Sequence, residues 1–293
     1  MYGMIGLGMM GRAMAGRLAE AGLELVVYNR TTAKAEAFQA KYGSQVRVAL
    51  SPRAVAEQAT VIFSMVADDR AMEGIAFDET TGLIGALGSQ HIWVDSSTIS
   101  PKMSRRLTAA AAERGATRLE APVSGSVDAA ESGRLLMFVG GSAEALDKVR
   151  PVVAHLADRV ERIGEVGQAL SLKLAMNLNI AIQIEGFLEG MMLAERSGLS
   201  RETVIEYMLA SVIASPMLKY RVPFALNPPA EPWFTNQLML KDLDLALQQA
   251  NGEGTALPVT ALTADLLRIA IRHGLGNQEL AALIPYMADL VNP

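Results

Sequence analysis

The chain opens MYGMIGLGMMGRAMAGRL, and the spacing Gly6-x-Gly8-x-x-Gly11 constrains the fold more than any other stretch. A β-rich run, Tyr2–Gly6, precedes it, a helical pattern, Met10–Ala21, follows, and a second β-rich run lies at Glu24–Tyr28. Strand, glycine loop, helix and strand in that order begin a dinucleotide-binding unit. Gly6 permits the tight turn and Gly8 leaves room for a pyrophosphate against the backbone. Gly11 lets helix and strand pack closely, and the helix N-terminus supplies N–H groups and the positive end of its dipole. Gly6, Leu7, Gly8, Met9, Met10 and Gly11 are therefore candidate cofactor contacts. The competing reading, a merely glycine-rich turn, does not account for the flanking elements.

The end of the second strand selects the nucleotide. A fold that prefers NAD carries Asp or Glu there for the ribose 2′-OH. This chain reads VVYNRTT, with Asn29, Arg30 and Thr31, and Arg30 stands 19 positions after Gly11. An arginine fork and a hydroxyl suit a 2′-phosphate, so NADP(H) is expected over NAD(H). The bland alternative is a surface arginine at a turn with Thr31 as helix N-cap.

Further β-rich runs at Val46–Ala49, Val61–Val66 and Ile92–Asp95 alternate with helical patterns at Ala33–Lys41 and Pro101–Arg114. That alternation predicts a parallel sheet of βαβ units. Arg118–Pro122, Leu135–Val139 and Arg159–Ile163 extend the same sheet. After Gly164 the texture becomes helical: Gln168–Arg196 has no proline, Gly198 supplies a stop, and helical patterns follow at Arg201–Ala210, Asn236–Asn251, Pro258–His273 and Glu279–Leu290. NPPAEPWF reads as a loop. The expected architecture is α/β: an N-terminal Rossmann-type dinucleotide-binding domain over 1–164, then an all-α domain over 165–293, joined by a long interdomain helix. A length of 293 residues suits two domains.

Composition narrows the function classes. A net charge of −5 argues against nucleic-acid or membrane-surface binding. No cysteine is present, which excludes disulfides and thiolate chemistry and fits a reducing, cytoplasmic setting. The three histidines, His91, His155 and His273, have no metal-ligand spacing, so no metal is expected. The apolar N-terminus lacks a basic start and reads as a strand, not a signal peptide. No apolar run reaches the roughly 20 residues that span a bilayer.

Ligands of open α/β sheets lie beyond the carboxyl ends of the strands. SMVADD, with Met65 and Val66, ends the fourth strand. VDSSTISP ends the fifth and places Ser96 and Thr98 for ribose or nicotinamide, while Ser100 before Pro101 reads as an ordinary N-cap. Ser124-Gly125-Ser126 offers consecutive N–H groups and two hydroxyls, either a carboxylate cradle or a turn. Within the long helical run, Lys173 and Asn177 stand i and i+4 on one face. A lone lysine there would snorkel to water. The second polar residue, and entry through a Gly-x-x-Gly loop at the domain junction, point to a cleft.

The set GLGMMGRAM, NRTTAKAE, DSSTISP, APVSGS…AAESGRLLMFVGG, GEVGQALSLKLAMN and LMLKDLDLAL resembles the β-hydroxyacid dehydrogenase family, in the family's order over nearly the whole chain. The resemblance implies a catalytic lysine at Lys173, substrate contacts from Asn177, a substrate-carboxylate loop at Ser124, Gly125 and Ser126, and a cleft lysine near the nicotinamide at Lys241. It implies a cofactor contact at Thr98, and dimers or tetramers built on the long helix. The expected reaction interconverts a small anionic semialdehyde or oxo acid and its hydroxy acid, with Lys173 as proton donor or acceptor. Desolvation and a cation such as Lys241 would lower its pKa. Val127-Asp128-Ala129-Ala130 departs from the basic pair usual in the glyoxylate/succinic semialdehyde branch. Arg134, Met217, Tyr220, Trp233 and Phe234 are candidate pocket residues or ordinary surface and core. The alternatives are an imine or ketone reductase on the same scaffold and a non-catalytic NADP-binding protein.

Overall fold

The structure is a computed structural model that describes residues 1–286. It divides into two compact units, the first ending at Lys173 and the second beginning at Leu174.

In chain order the first unit holds β1 (Tyr2–Ile5), α1 (Met9–Glu20), β2 (Leu25–Tyr28), α2 (Thr32–Tyr42), β3 (Val46–Val48), α3 (Pro52–Ala56), β4 (Val61–Ser64) and α4 (Asp69–Phe77). There follow β5 (Ile92–Asp95), α5 (Pro101–Glu113), β6 (Thr117–Glu120), β7 (Val123–Ser124), α6 (Val127–Glu131), β8 (Leu135–Gly140), α7 (Ala143–Val153) and β9 (Ala157–Gly164). α8 (Gln168–Arg196) begins here.

Among the described residues the strands form one nine-stranded sheet, ordered β3-β2-β1-β4-β5-β6-β8-β7, with β9 beside β8. The first six strands are parallel in the 3-2-1-4-5-6 order of a dinucleotide-binding fold. Strand residues alternate between two cores. Met4, Val27, Phe63 and Val94 belong to one, and Ile5, Val26, Ile62 and Trp93 to the other. Both faces are covered, so these strands read as continuous apolar runs.

The expectation of a parallel sheet needs one correction. β8 runs antiparallel to β6 and β7, and only β9 rejoins it in parallel. The pairs Glu120↔Gly140, Val123↔Met137 and Ser124↔Leu136 share one register. Phe138 N–H donates to the Pro122 carbonyl at 3.3 Å in the same ladder. β6 and β7 are thus one strand interrupted at Ala121–Pro122, its second half running past the carboxyl end of β5. The tight Ser126–Gly133 connection reverses the chain without a crossover helix of full length, which is why the sense changes.

The second unit holds the rest of α8, α9 (Arg201–Ala210), α10 (Pro216–Arg221), α11 (Asn236–Gly252) and α12 (Pro258–Ala270). Ala181, Ile184, Leu188 and Met191 recur at helical spacing and bury one stripe of α8 against Leu243, Leu267 and Ile284. Gly198, at φ +95°, ends α8, as its sequence position suggested. The stretch read as one helix over Pro258–His273 is regular only to Ala270 and then widens into a π-turn, Ile271–Leu275, with Gly274 at φ +91°. Of the pattern Glu279–Leu290, Leu280–Ala282 form a short 3-10 turn, and residues from 287 onward lie outside the described residues. No helix among the described residues is long and apolar enough to cross a membrane.

Candidate active site

The glycine loop has the geometry its spacing requires. Gly6 sits at φ +95°, and a Cβ there would stand 2.2 Å from the Met65 carbonyl oxygen. A Cβ on Gly11 would stand 2.0 Å from the Gly6 carbonyl oxygen, so α1 can cross the loop only without a side chain. Gly8 differs. It is the N-cap of α1 at φ −66°, ψ −174°, and a Cβ there meets nothing within 4 Å. The space before the first turn of α1 is open, with unpaired helix N–H groups around it. A dinucleotide pyrophosphate fits this place, and the residues present suit the group.

Asn29 serves the loop itself. Its Oδ1 accepts from Leu7 N–H at 2.9 Å, and its Nδ2 donates to the Thr31 carbonyl at 3.0 Å. Arg30 and Thr31 are exposed beside it. Thr31 occupies the N-cap position of α2, yet its hydroxyl makes no capping bond.

The loops after β4 and β5 are tied together. Val66 N–H donates to Ser97 Oγ at 2.9 Å. Asp69 accepts from Ser100 N–H at 2.7 Å and Ser100 Oγ at 2.6 Å. Ser100 caps α5, as expected, accepting from Met103 N–H at 3.0 Å. Ser96 is buried with no partner for its hydroxyl, and Thr98 is half-buried beside it. Asp68 caps α4, accepting from Ala71 N–H at 2.7 Å. An acidic pair before an apolar helical run was the available signal for that helix.

Beneath these loops lies a buried polar chain that the sequence did not reveal. Asp95 accepts from Ser64 Oγ at 2.8 Å and Ser97 N–H at 3.1 Å, and it pairs with the Arg118 guanidinium. Arg118 donates to Ser104 Oγ at 2.9 Å and stacks 5.1 Å from the Trp93 ring centroid. Ser104 Oγ donates to Glu120 at 2.5 Å. Glu120 in turn accepts from Gly167 N–H at 2.9 Å and Leu170 N–H at 2.8 Å, at the start of α8.

Ser124 ends β7, Gly125 sits at φ +145°, and Ser126 Oγ accepts from Ala129 N–H at 3.3 Å as the cap of α6. The Ser126 hydroxyl is thereby engaged in the turn. Arg134 is exposed.

Lys173 and Asn177 stand one turn apart on α8, the first half-buried and the second buried. In the second unit, Asn177 Nδ2 donates to Asp242 Oδ2 at 2.5 Å, while Lys241 Nζ lies 2.6 Å from Asp242 Oδ1. Asp242 is buried and gathers both residues, a role no sequence signal assigned beyond its place in the KDL run. Met217 and Phe234 pack on the helical core, and Trp233 meets Phe224 edge-on at 5.0 Å and Tyr220 at 6.4 Å. Among the described residues no cluster of three or more His, Asp or Glu side chains is arranged to hold a metal.

Residues 1–164 match the model of the NAD binding domain of 6-phosphogluconate dehydrogenase, and residues 167–287 match that of the NAD-binding domain of NADP-dependent 3-hydroxyisobutyrate dehydrogenase. The chain belongs to the β-hydroxyacid dehydrogenase family. It is an NAD(P)-dependent dehydrogenase acting on CH-OH groups. An NAD-dependent L-serine dehydrogenase of Pseudomonas aeruginosa is 32% identical, over 95% of each chain. Glyoxylate/succinic semialdehyde reductase 1 of Arabidopsis thaliana is 29% identical, over 96% of each. The solved structure of Psf3 in complex with NADP+ and 2-OPP is 27% identical, with a TM-score of 0.89 over 98% of this chain and 100% of that one.

Proposed function

We propose that this β-hydroxyacid dehydrogenase prefers NADPH and reduces a short semialdehyde or 2-oxo acid to the hydroxy acid, with Lys173 as proton donor, and as acceptor in reverse. The observation that carries the reading is the polar face of α8, where Lys173 and Asn177 stand one turn apart and Asn177 is held with Lys241 on one buried carboxylate, Asp242. These polar groups interrupt an otherwise apolar helix at adjacent turns, and the buried carboxylate that holds two of them fixes their direction.

When bound, the nicotinamide supplies or accepts the hydride. The protein's part is to bind, orient and move a proton. As the carbonyl oxygen gains negative charge, the Lys173 ammonium stabilises it and donates the proton. Ser124, Gly125 and Ser126 hold the substrate carboxylate with backbone N–H groups and both hydroxyls, since Ser126 Oγ only accepts in capping α6 and keeps its O–H to donate. Asn177 and Lys241, fixed by Asp242, hold the rest of the substrate and the nicotinamide side. Gly6 to Gly11 receive the pyrophosphate, Met65, Val66 and Thr98 the ribose and nicotinamide, and Asn29, Arg30 and Thr31 the 2′-phosphate. Relatives named for NAD and for NADP+ both occur, so the residues after β2 decide, and here they include no carboxylate.

Residues 1–164 form the cofactor domain and 165–293 the substrate and dimerisation domain of a cytoplasmic homodimer or homotetramer. The test is Lys173→Ala assayed against a panel of short aldehydes and oxo acids by loss of NADPH absorbance. Turnover vanishes, NADPH still binds, and a small primary amine restores part of the rate. Turnover that survives in the variant removes Lys173 from the chemistry.

A further inference from the structure

We propose that Glu120 is a positioning residue of the reaction: it sets where α8 begins and so where Lys173 stands. The inference rests on the assignment of Lys173 as proton donor.

Glu120 is the last residue of β6 and is 1% exposed. A carboxylate is seldom buried so fully unless its lone pairs are met. Here four contacts meet them. Oε1 accepts from Leu170 N–H at 2.8 Å and from Gly167 N–H at 3.1 Å, and Oε2 accepts from Gly167 N–H at 2.9 Å and from Ser104 Oγ at 2.5 Å. Gly167 and Leu170 bracket the first turn of α8, whose N–H groups have no carbonyl inside the helix. The usual cap is a Ser, Thr, Asp or Asn at the helix's own start. In α8 the corresponding local contact, Gln168 Oε1 accepting from Glu165 N–H at 2.7 Å, serves the approach loop instead. The cap of α8 therefore comes from a strand 47 positions earlier in sequence.

That choice has a geometric result. A local cap moves with its helix, whereas a cap on a strand of a packed sheet fixes the helix to the sheet. Gly167, at φ +103°, lets the backbone present its N–H to Glu120. Leu170 is fully buried in the core that also holds Trp93 and Ile99, so the turn is pinned on two sides. Lys173 follows Leu170 by one turn, about 4.5 Å along the axis, and helical side chains lean toward the N-terminus. Displacement or rotation of the first turn passes directly to Lys173. On its other side Glu120 is joined through Ser104, Arg118 and Asp95 to Ser97, whose hydroxyl holds Val66 N–H in the loop after β4. The chain thus connects the loop after β4, which Asp95 and Ser97 hold without Glu120, to the start of the helix that carries the proton donor, which Glu120 holds itself. Hydride and proton transfers demand reacting atoms placed within about half an ångström.

Glu120→Gln and Glu120→Ala in the full-length enzyme test this. Gln keeps a carbonyl for Leu170 and Gly167 N–H and turns an amide toward Ser104 Oγ, which can accept; Ala keeps nothing. The expected order of kcat is wild type, then Gln, then Ala, with Ala down about 10²-fold, the loss typical of small misplacement. The NADPH Kd stays within twofold, and the primary deuterium isotope effect on kcat with 4-deuterated NADPH rises as the chemical step becomes limiting. A purely structural Glu120 would lower the melting temperature yet leave kcat per folded site and the isotope effect unchanged, and that result overturns the proposal. If Ala does not fold, the Gln variant decides by the same readouts. Lys173→Ala run in parallel separates the two claims: an active Lys173→Ala refutes the proton-donor assignment, whereas a dead Lys173→Ala beside a wild-type Glu120→Gln isotope effect refutes only the positioning role.

Discussion

Gly8→Ala and Gly11→Ala differ by three positions and should fail in opposite ways. At Gly11 the added Cβ would lie 2.0 Å from the Gly6 carbonyl oxygen, where ordinary contact begins at 3.4 Å. The offending atom is backbone on both sides, so α1 or the loop must retreat by about 1.4 Å, and overpacking of this kind costs about 1–3 kcal/mol. The melting temperature should fall by about 2–4 °C for each of those kcal/mol. At Gly8 the Cβ meets no protein atom within 4 Å, and φ −66° suits alanine. Folding should be unharmed, or favoured by about 0.4–1 kcal/mol through the lost freedom of the unfolded chain. The same Cβ occupies the place assigned to the pyrophosphate, so a clash of about 1–3 kcal/mol should weaken NADPH about 5- to 150-fold. Thermal melting without ligand, beside a fluorescence titration with NADPH, reads both effects. A Gly8→Ala protein that binds NADPH like wild type refutes the placement. A Gly11→Ala protein that melts like wild type refutes the packing argument.

Arg30→Ala should lower affinity for NADPH by at least tenfold and leave NADH little changed, since an exposed arginine serves the 2′-phosphate and not the fold; equal losses for both, measured by titration, reject the assignment. Arg118→Met should leave Asp95 charged and buried without its partner, costing about 3–5 kcal/mol in a urea unfolding series. Glu185 on α8 is pushed up to about 7 by burial, with the charge of Glu189 adding to the effect. Its folded pKa lies above the unfolded value, so the folded state holds the extra proton and stability should fall as pH rises from about 4.5 to 7. Glu185→Gln should flatten that slope, and an unchanged slope in melting temperature against pH would exclude Glu185 as its source.

The first six strands and the long helix were legible because each carries a local signal: glycines at fixed spacing, apolar runs between turns, absence of proline over Gln168–Arg196. The antiparallel sense of β8 was not, since strand direction depends on the length and path of a connection and not on the strand's own residues. Ser100 was legible as a cap because Pro101 follows it. Thr31 had the position of a cap without the bond, which sequence does not distinguish. Asn29 also holds the loop backbone with both ends of its amide, a task that its place after β2 did not reveal. Glu120, Arg118 and Asp95 carry no local signal of burial. Their burial comes from strands that meet only in three dimensions, and a charge in a sequence does not say which side of the sheet will cover it. Asp242 was hidden for the same reason behind its neighbour Lys241.

The ladder that joins β6, β7 and β8 gives the Ser-Gly-Ser turn its own frame of reference. Ser124 stands four residues past Glu120 on a single register, about 13 Å beyond the end of β5. That reach is measured against β8, not against the parallel strands that shape the dinucleotide loops. The turn is nevertheless tied to the dinucleotide side: α6 lies within it and packs on α1, with Ala130 buried in the core that holds Met14 and Leu18. A change of length or side chain between Val123 and Leu136 therefore reaches the helix that follows the glycine loop.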